Sequence, residues 1–80
     1  MASFDERLKC LRTEHNMLQK DISENCDIGL RTIKGYESGK VKPTSTVLIK
    51  LCRYFNVSAD YLLGLSDEPR PLVQDNSDKT

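Results

Sequence analysis

Apolar side chains recur along most of this chain at the spacing of a helix, and nowhere at the alternation of a strand. Phe4, Leu8 and Leu11 fall at i, i+4 and i+7, one stripe of a helix. Ser3 and Glu6 frame its start as a capping box, so the pattern predicts a first helix over about residues 4–14, ending before Asn16. Leu18, Ile22 and Cys26 repeat the period and predict a short helix over about 19–26. Its start lacks a hydroxyl cap, because Leu18 stands there, and Asp21 in the first turn partly offsets this through the helix dipole. Ile28, Ile33 and Tyr36 carry the pattern on, with Gly39 placed to stop a helix. Pro43 and Thr44 announce the next start. Val47, Leu48, Leu51, Cys52 and Phe55 then make a broad apolar face. A last short helix follows Asn56, with Ser58 as N-cap, Leu62 and Leu63 apolar, and Gly64 closing it. Five short helices with brief connections predict an all-α fold, a compact bundle.

The third helix carries an oddity, since its sequence GLRTIKGYESG (29–39) has a glycine near its middle. Glycine inside a helix costs about 1 kcal/mol relative to alanine. On a wheel of 100° per residue, Ile33 and Tyr36 face the core with Thr32 beside them. Arg31, Lys34 and Gly35 share the opposite arc, with Leu30 at its margin. Gly29 sits at the N-cap, where glycine costs little. The expectation for Gly35 is that its missing side chain leaves Arg31 and Lys34 as the polar readers of a groove. Alanine there would then stabilise the fold slightly and weaken binding.

Charge sharpens this picture. The 80 residues carry 12 Lys/Arg against 12 Asp/Glu, net zero. Residues 30–53, however, hold six cations (Arg31, Lys34, Lys40, Lys42, Lys50 and Arg53) against Glu37 alone, while both flanking segments are acidic. Positive charge gathered into one segment is the footprint of a polyanion partner, although a solvated basic helix face looks the same. Two short helices joined by a tight turn, the second basic and followed by a basic loop, form a helix-turn-helix candidate. Arg31 suits a bidentate guanine contact and Leu30 a thymine methyl, while Lys34 can reach a base or a phosphate. Lys40 and Lys42, in the following loop, suit phosphates. Thr44 and Ser45 cap the fourth helix, and Lys50 and Arg53 are expected to face solvent.

The stretches ERLKCLR (6–12), DIS (21–23), TIKGYESGK (32–40) and LCRYFNVSADYLLG (51–64), with Gln19, Ile28 and Pro43 in register, resemble the Cro/CI-type, XRE-like family of helix-turn-helix repressors. The resemblance covers residues 4–64. It implies a lambda repressor-like DNA-binding fold, a homodimer on double-stranded DNA, and a glutamine, here Gln19, that bonds backbone or base. It also implies a structural ion pair, Arg12 with Glu37, that orients the third helix. The candidate DNA-binding set is then Gln19, Gly29, Leu30, Arg31, Thr32, Lys34, Gly35, Lys40 and Lys42. Leu18 and Gly29 depart from the family's hydroxyl caps, Asp27 from its turn glycine, and Gly35 from a longer polar residue.

Nothing points to catalysis. The only histidine, His15, ends a helix without a second ligand or nucleophile, and no glycine-rich phosphate loop occurs. No metal or cofactor is expected. Cys10, Cys26 and Cys52 are too few and too far apart for a zinc site and are expected to fill small core spaces as thiols. The chain has no apolar run long enough to span a membrane and no secretory leader, so a cytoplasmic protein is expected. Residues 1–65 form the expected DNA-binding domain and 66–80 a flexible tail. A dimer surface is expected from Tyr54, Tyr61, Leu62 and Leu65. The alternative reading is a helix-turn-helix module whose main partner is a protein, as in an antitoxin or a partner-binding phage regulator. The zero net charge and the apolar YFNVSADYLLGL (54–65) favour it.

Overall fold

The computed structural model describes residues 2–70. Five helices follow in order: α1 (Phe4–Glu14), α2 (Gln19–Cys26), α3 (Leu30–Glu37), α4 (Ser45–Phe55) and α5 (Ala59–Leu62). Among the described residues there is no strand, and the all-α expectation holds.

The helix boundaries are written locally. Thr44 Oγ1 accepts a hydrogen bond from the Val47 N–H (3.3 Å) and Ser58 Oγ one from the Tyr61 N–H (3.0 Å), each filling an orphan donor of a first helical turn. Where Leu18 offers no hydroxyl, the Asp21 carboxylate accepts from the Leu18 N–H at 2.7 Å, which keeps half of a capping box. The five C-termini repeat one device. Asn16, Asp27, Gly39, Asn56 and Gly64 each take a positive φ, between 55° and 82°. The N–H of the residue after each then reaches the carbonyl five positions back: Met17 to Arg12, Ile28 to Ser23, Lys40 to Gly35, Val57 to Cys52 and Leu65 to Asp60, at 2.8–3.1 Å. This is the Schellman closure, in which a left-handed residue turns the chain out of the helix and satisfies an otherwise unpaired carbonyl.

α3 packs on α1 and α2, α5 on α1 and α4, and α2 on α4. Leu8, Ile22, Ile33, Leu51 and Leu62, one from each helix, are fully buried at the centre, joined by Leu11, Tyr36, Phe55 and Val57. A helix of eight residues, the length of α3, is marginal by itself in water, so burial of Ile33 and Tyr36 is what holds it. Phe4 meets Tyr36 edge-on at 5.5 Å between ring centres, which ties the start of α1 to the end of α3.

The cysteine expectation holds for two of the three. Cys26 is buried and Cys52 half-buried, and burial pushes both thiols up from their ordinary pKa. Cys10 is exposed, because it sits a quarter-turn off the Leu8–Leu11 stripe. His15 donates from Nδ1 to the Leu11 carbonyl at 2.8 Å, finishing the last turn of α1 and packing on Phe55. Lys50 is not free in solvent: its Nζ lies 3.4 Å from the Asp27 carbonyl, where a cation complements the C-terminus of α2.

The chain ends of the bundle touch. A Cβ on Gly64 would fall 1.9 Å from the Ala2 carbonyl oxygen, so this position must be glycine for space as well as for its φ of 82°. Past α5 the chain stays attached. Arg7, almost buried, stacks over the Tyr61 ring at 4.0 Å and pairs with Asp67 at 2.6 Å. The Ser58 N–H donates to the Pro69 carbonyl at 2.8 Å. Of the stretch 66–80 read as a tail, residues 66–70 are thus held by Arg7 and Ser58, and the rest lies outside the described residues.

Candidate nucleic-acid interface

α2 and α3 are joined by a turn through Asp27, Ile28 and Gly29. Asp27 supplies the left-handed residue (φ 55°) and Ile28 drops into the core. Ser23 Oγ also bonds the Ile28 carbonyl, so side chain and backbone fix the turn together. These contacts set the relation of α2 to α3.

A buried charge cluster reinforces it. Glu37, the last residue of α3, is 5 % exposed. Its carboxylate accepts from Arg12 Nε at 2.7 Å and Nη2 at 3.0 Å, a bidentate pair, and from Gln19 Nε2 at 3.1 Å. Arg12 Nη1 donates further to the Met17 carbonyl at 3.0 Å. Hydrogen bonding to Glu37 raises the already high pKa of Arg12. One carboxylate thus joins α1, the entry to α2 and the end of α3. A buried carboxylate with a bidentate cation and a further donor on it is tolerable, whereas the same charge alone is not. The Gln19 amide N–H is turned inward to Glu37, a partner that the sequence pattern did not reveal.

The outer surface contrasts with this. Arg31 and Lys34 on α3, and Lys40 and Lys42 in the loop after it, are exposed. Among the described residues their side chains make no ion pair or hydrogen bond. Leu30 is 37 % exposed and Thr32 half-buried, as the wheel predicts, and Gly29 is exposed at the N-cap. Lys40 and Lys42 leave the helix in a fixed direction. Lys40 N–H, Val41 N–H and Ser38 Oγ all donate to the Gly35 carbonyl, at 3.1, 3.2 and 3.0 Å, which folds the loop back over the helix end.

That fold-back corrects the expectation for Gly35. A Cβ there would lie 2.8 Å from Val41 Cγ2 and 3.4 Å from Val41 Cβ. The space left by the missing side chain is filled by Val41 of the same chain, so alanine brings a steric cost along with its helix propensity. The sequence showed the glycine but not its neighbour, because Val41 is brought there by the left-handed turn at Gly39.

Two residues not counted in the sequence-derived set share this surface. Leu18, 65 % exposed, and Lys20 line, with Arg12, Gln19, Leu30 and Lys34, a shallow depression of about 470 Å³ between the starts of α2 and α3. The missing cap hydroxyl at Leu18 was the only signal in the sequence.

The expected dimer surface divides. Leu62 is fully buried and cannot meet a partner; α5 is a single turn, too short for periodicity to tell its inner from its outer side. Tyr61 is half-covered by Arg7. Tyr54, 40 % exposed, accepts from Asn25 Nδ2 at 2.8 Å and donates to Met17 Sδ. Leu65 is 69 % exposed.

Residues 6–68 match the helix-turn-helix domain family. The chain is 38 % identical over 71 residues to YobD of Bacillus subtilis, an uncharacterized HTH-type transcriptional regulator, across 89 % of this chain and 63 % of that protein. It is 35 % identical over 78 residues to the HTH-type transcriptional regulator ImmR of the same organism, across 98 % of this chain and 61 % of ImmR. The crystal structure of a transcriptional regulator from Listeria innocua matches with a TM-score of 0.74 at 34 % identity, over 91 % of this chain and 65 % of that one. The chain therefore spans less than two thirds of the length of each. Among the described residues no helix is long and apolar enough to cross a membrane.

Proposed function

Because the chain belongs to the XRE-type helix-turn-helix family of DNA-binding transcriptional regulators, we propose that it is a cytoplasmic repressor that inserts α3 into the major groove of a palindromic operator as a homodimer. The observation that carries this reading is the row of exposed cations on and after α3, without an ion pair among the described residues, set on a frame that Glu37 locks to Arg12 and Gln19. Cations carried on a fixed backbone can select a sequence, because only their side chains, and not the helix or the loop that bears them, have to be ordered on binding. Arg31 is assigned to a guanine, with Lys34 near it. Lys40 and Lys42 are assigned to phosphates, as are the backbone N–H groups at the start of α2. Gly29 and Thr32 lie at the entry of α3, where the backbone comes near the strand. Two copies joined through the surface around Leu65 would present their α3 helices to half-sites about 34 Å apart.

A salt titration of a duplex taken from the DNA beside the chain's own coding sequence tests this. Affinity should fall linearly on a log–log scale with salt, by a slope of about 0.9 per phosphate neutralised. Lys42→Ala should weaken all duplexes alike and reduce that slope by about 1. The second reading, a module that chiefly engages a protein, is favoured by one observation. Phe4, Tyr36, Val41, Pro43, Leu48 and Leu63 line an open cleft of about 560 Å³ beside the end of α3. Salt-insensitive or absent binding to every duplex would leave that reading standing and remove the first.

A further inference from the structure

We propose that Leu18 is a specificity-determining residue: with Leu30 it forms an apolar pair that packs on thymine 5-methyl groups of the operator. The inference rests on the DNA-binding reading above and deepens it. Leu18 precedes α2 at the position where a capping hydroxyl would suit the helix, and it is the second most exposed large apolar residue described, after Leu65. It is not a loose end. Its N–H is bonded to the Asp21 carboxylate at 2.7 Å and its carbonyl accepts from the Asp21 and Ile22 N–H groups, so the direction of the side chain is set by the first turn of α2.

The surroundings indicate what it meets. Leu18 and Leu30 belong to one depression, whose other lining residues are Arg12, Gln19, Lys20 and Lys34. The lining carries no carboxylate. Arg12 is taken up by Glu37 and Lys20 lies 3.9 Å from Glu24, so the cation this rim offers is Lys34. An apolar pair with a lysine at its edge suits a polyanion that carries small apolar groups. In the major groove the thymine 5-methyl is that group, the one apolar feature by which a base pair is distinguished there. A leucine cannot accept or donate to a phosphate, so at this position it contributes nothing to backbone binding beyond contact area. What it can add is preference for thymine under the gap between the two helix starts.

The full chain is used to select duplexes from a random pool. The selected duplex is then remade with deoxyuridine in place of each thymine in turn, which removes only the methyl. Wild-type protein should lose roughly fourfold in affinity at the thymine under the depression, the loss expected for one buried methyl-sized group. Leu18→Ala should bind the thymine duplex as weakly as wild type binds the deoxyuridine duplex, and lose nothing more when the methyl goes. Leu18→Met should keep the discrimination. Because the side chain is exposed, thermal midpoints should match throughout. An unchanged thymine preference in Leu18→Ala overturns the proposal. So does an equal weakening on every duplex, which is the mark of a sugar contact. If wild type enriches a duplex that is indifferent to deoxyuridine, only the thymine assignment falls. If it enriches none, the DNA-binding reading falls as well.

Discussion

The molecule treats its arginines and lysines in two ways. On the α1 side, Arg7 and Arg12 are drawn into the protein, one onto Tyr61 and Asp67, the other onto Glu37. On the α3 side, Arg31, Lys34, Lys40 and Lys42 stand in water with no side-chain partner among the described residues. The residue types are the same, and the fold gives one set acceptors and withholds them from the other. Inward cations have spent their hydrogen bonds on geometry, holding α1, α2 and α3 in one relation. Outward cations keep theirs for a partner. A net charge of zero is therefore no obstacle to binding a polyanion, since the acidic residues lie in the flanking segments and the one acid within the basic segment, Glu37, is consumed inside.

Two substitutions probe this division, and a third, paired with a fourth, probes the loop that carries Lys40 and Lys42. The largest effect is expected from Glu37→Ala, which leaves Arg12 partly buried without its acceptor. Urea denaturation should show a loss of about 3–5 kcal/mol, a large share of the stability of a domain this size, with DNA binding lost only in step with folding. A loss below 1 kcal/mol would mean that the inward cations do not organise the fold. Arg31→Ala should do the reverse. Stability should stay within about 0.5 kcal/mol, while affinity for the selected duplex drops by about 1–3 kcal/mol and one base pair ceases to be distinguished. A uniform drop across sequences would instead make Arg31 a phosphate contact. The smallest effect is expected from Gly35→Ala. Its helix-propensity gain of about 1 kcal/mol is offset by the displacement of Val41, so stability should barely change. Adding Val41→Ala should release the gain, and the non-additivity of the pair, read in a double-mutant cycle, measures the clash.

Much of the fold was legible because its boundaries are local. Asn16, Asp27, Gly39, Asn56 and Gly64 announce the helix ends in the sequence, and Thr44 and Ser58 two of the starts. The wheel also turned Arg31 and Lys34 outward, opposite the buried Ile33 and Tyr36. What escaped depends on elements meeting in space. Gln19 looks like a free amide until α1 and α3 bring Arg12 and Glu37 to it. Gly35 looks like an open slot until the turn at Gly39 lays Val41 over it. Leu62, at the end of a single-turn helix, and Leu65, just past the turn at Gly64, look alike, yet one is at the centre of the core and the other is bare. Leu18 looked like a defective cap because its value, if thymine contact is its role, lies in a ligand rather than in the helix.

The crossing of Ala2 over Gly64 has a topological consequence. The chain from residue 2 to residue 64 is a ring closed by a backbone contact in place of a bond. The opening residues are a wall of the bundle and not a free lead-in to it, and any side chain at position 64 would pry the ring apart at its clasp.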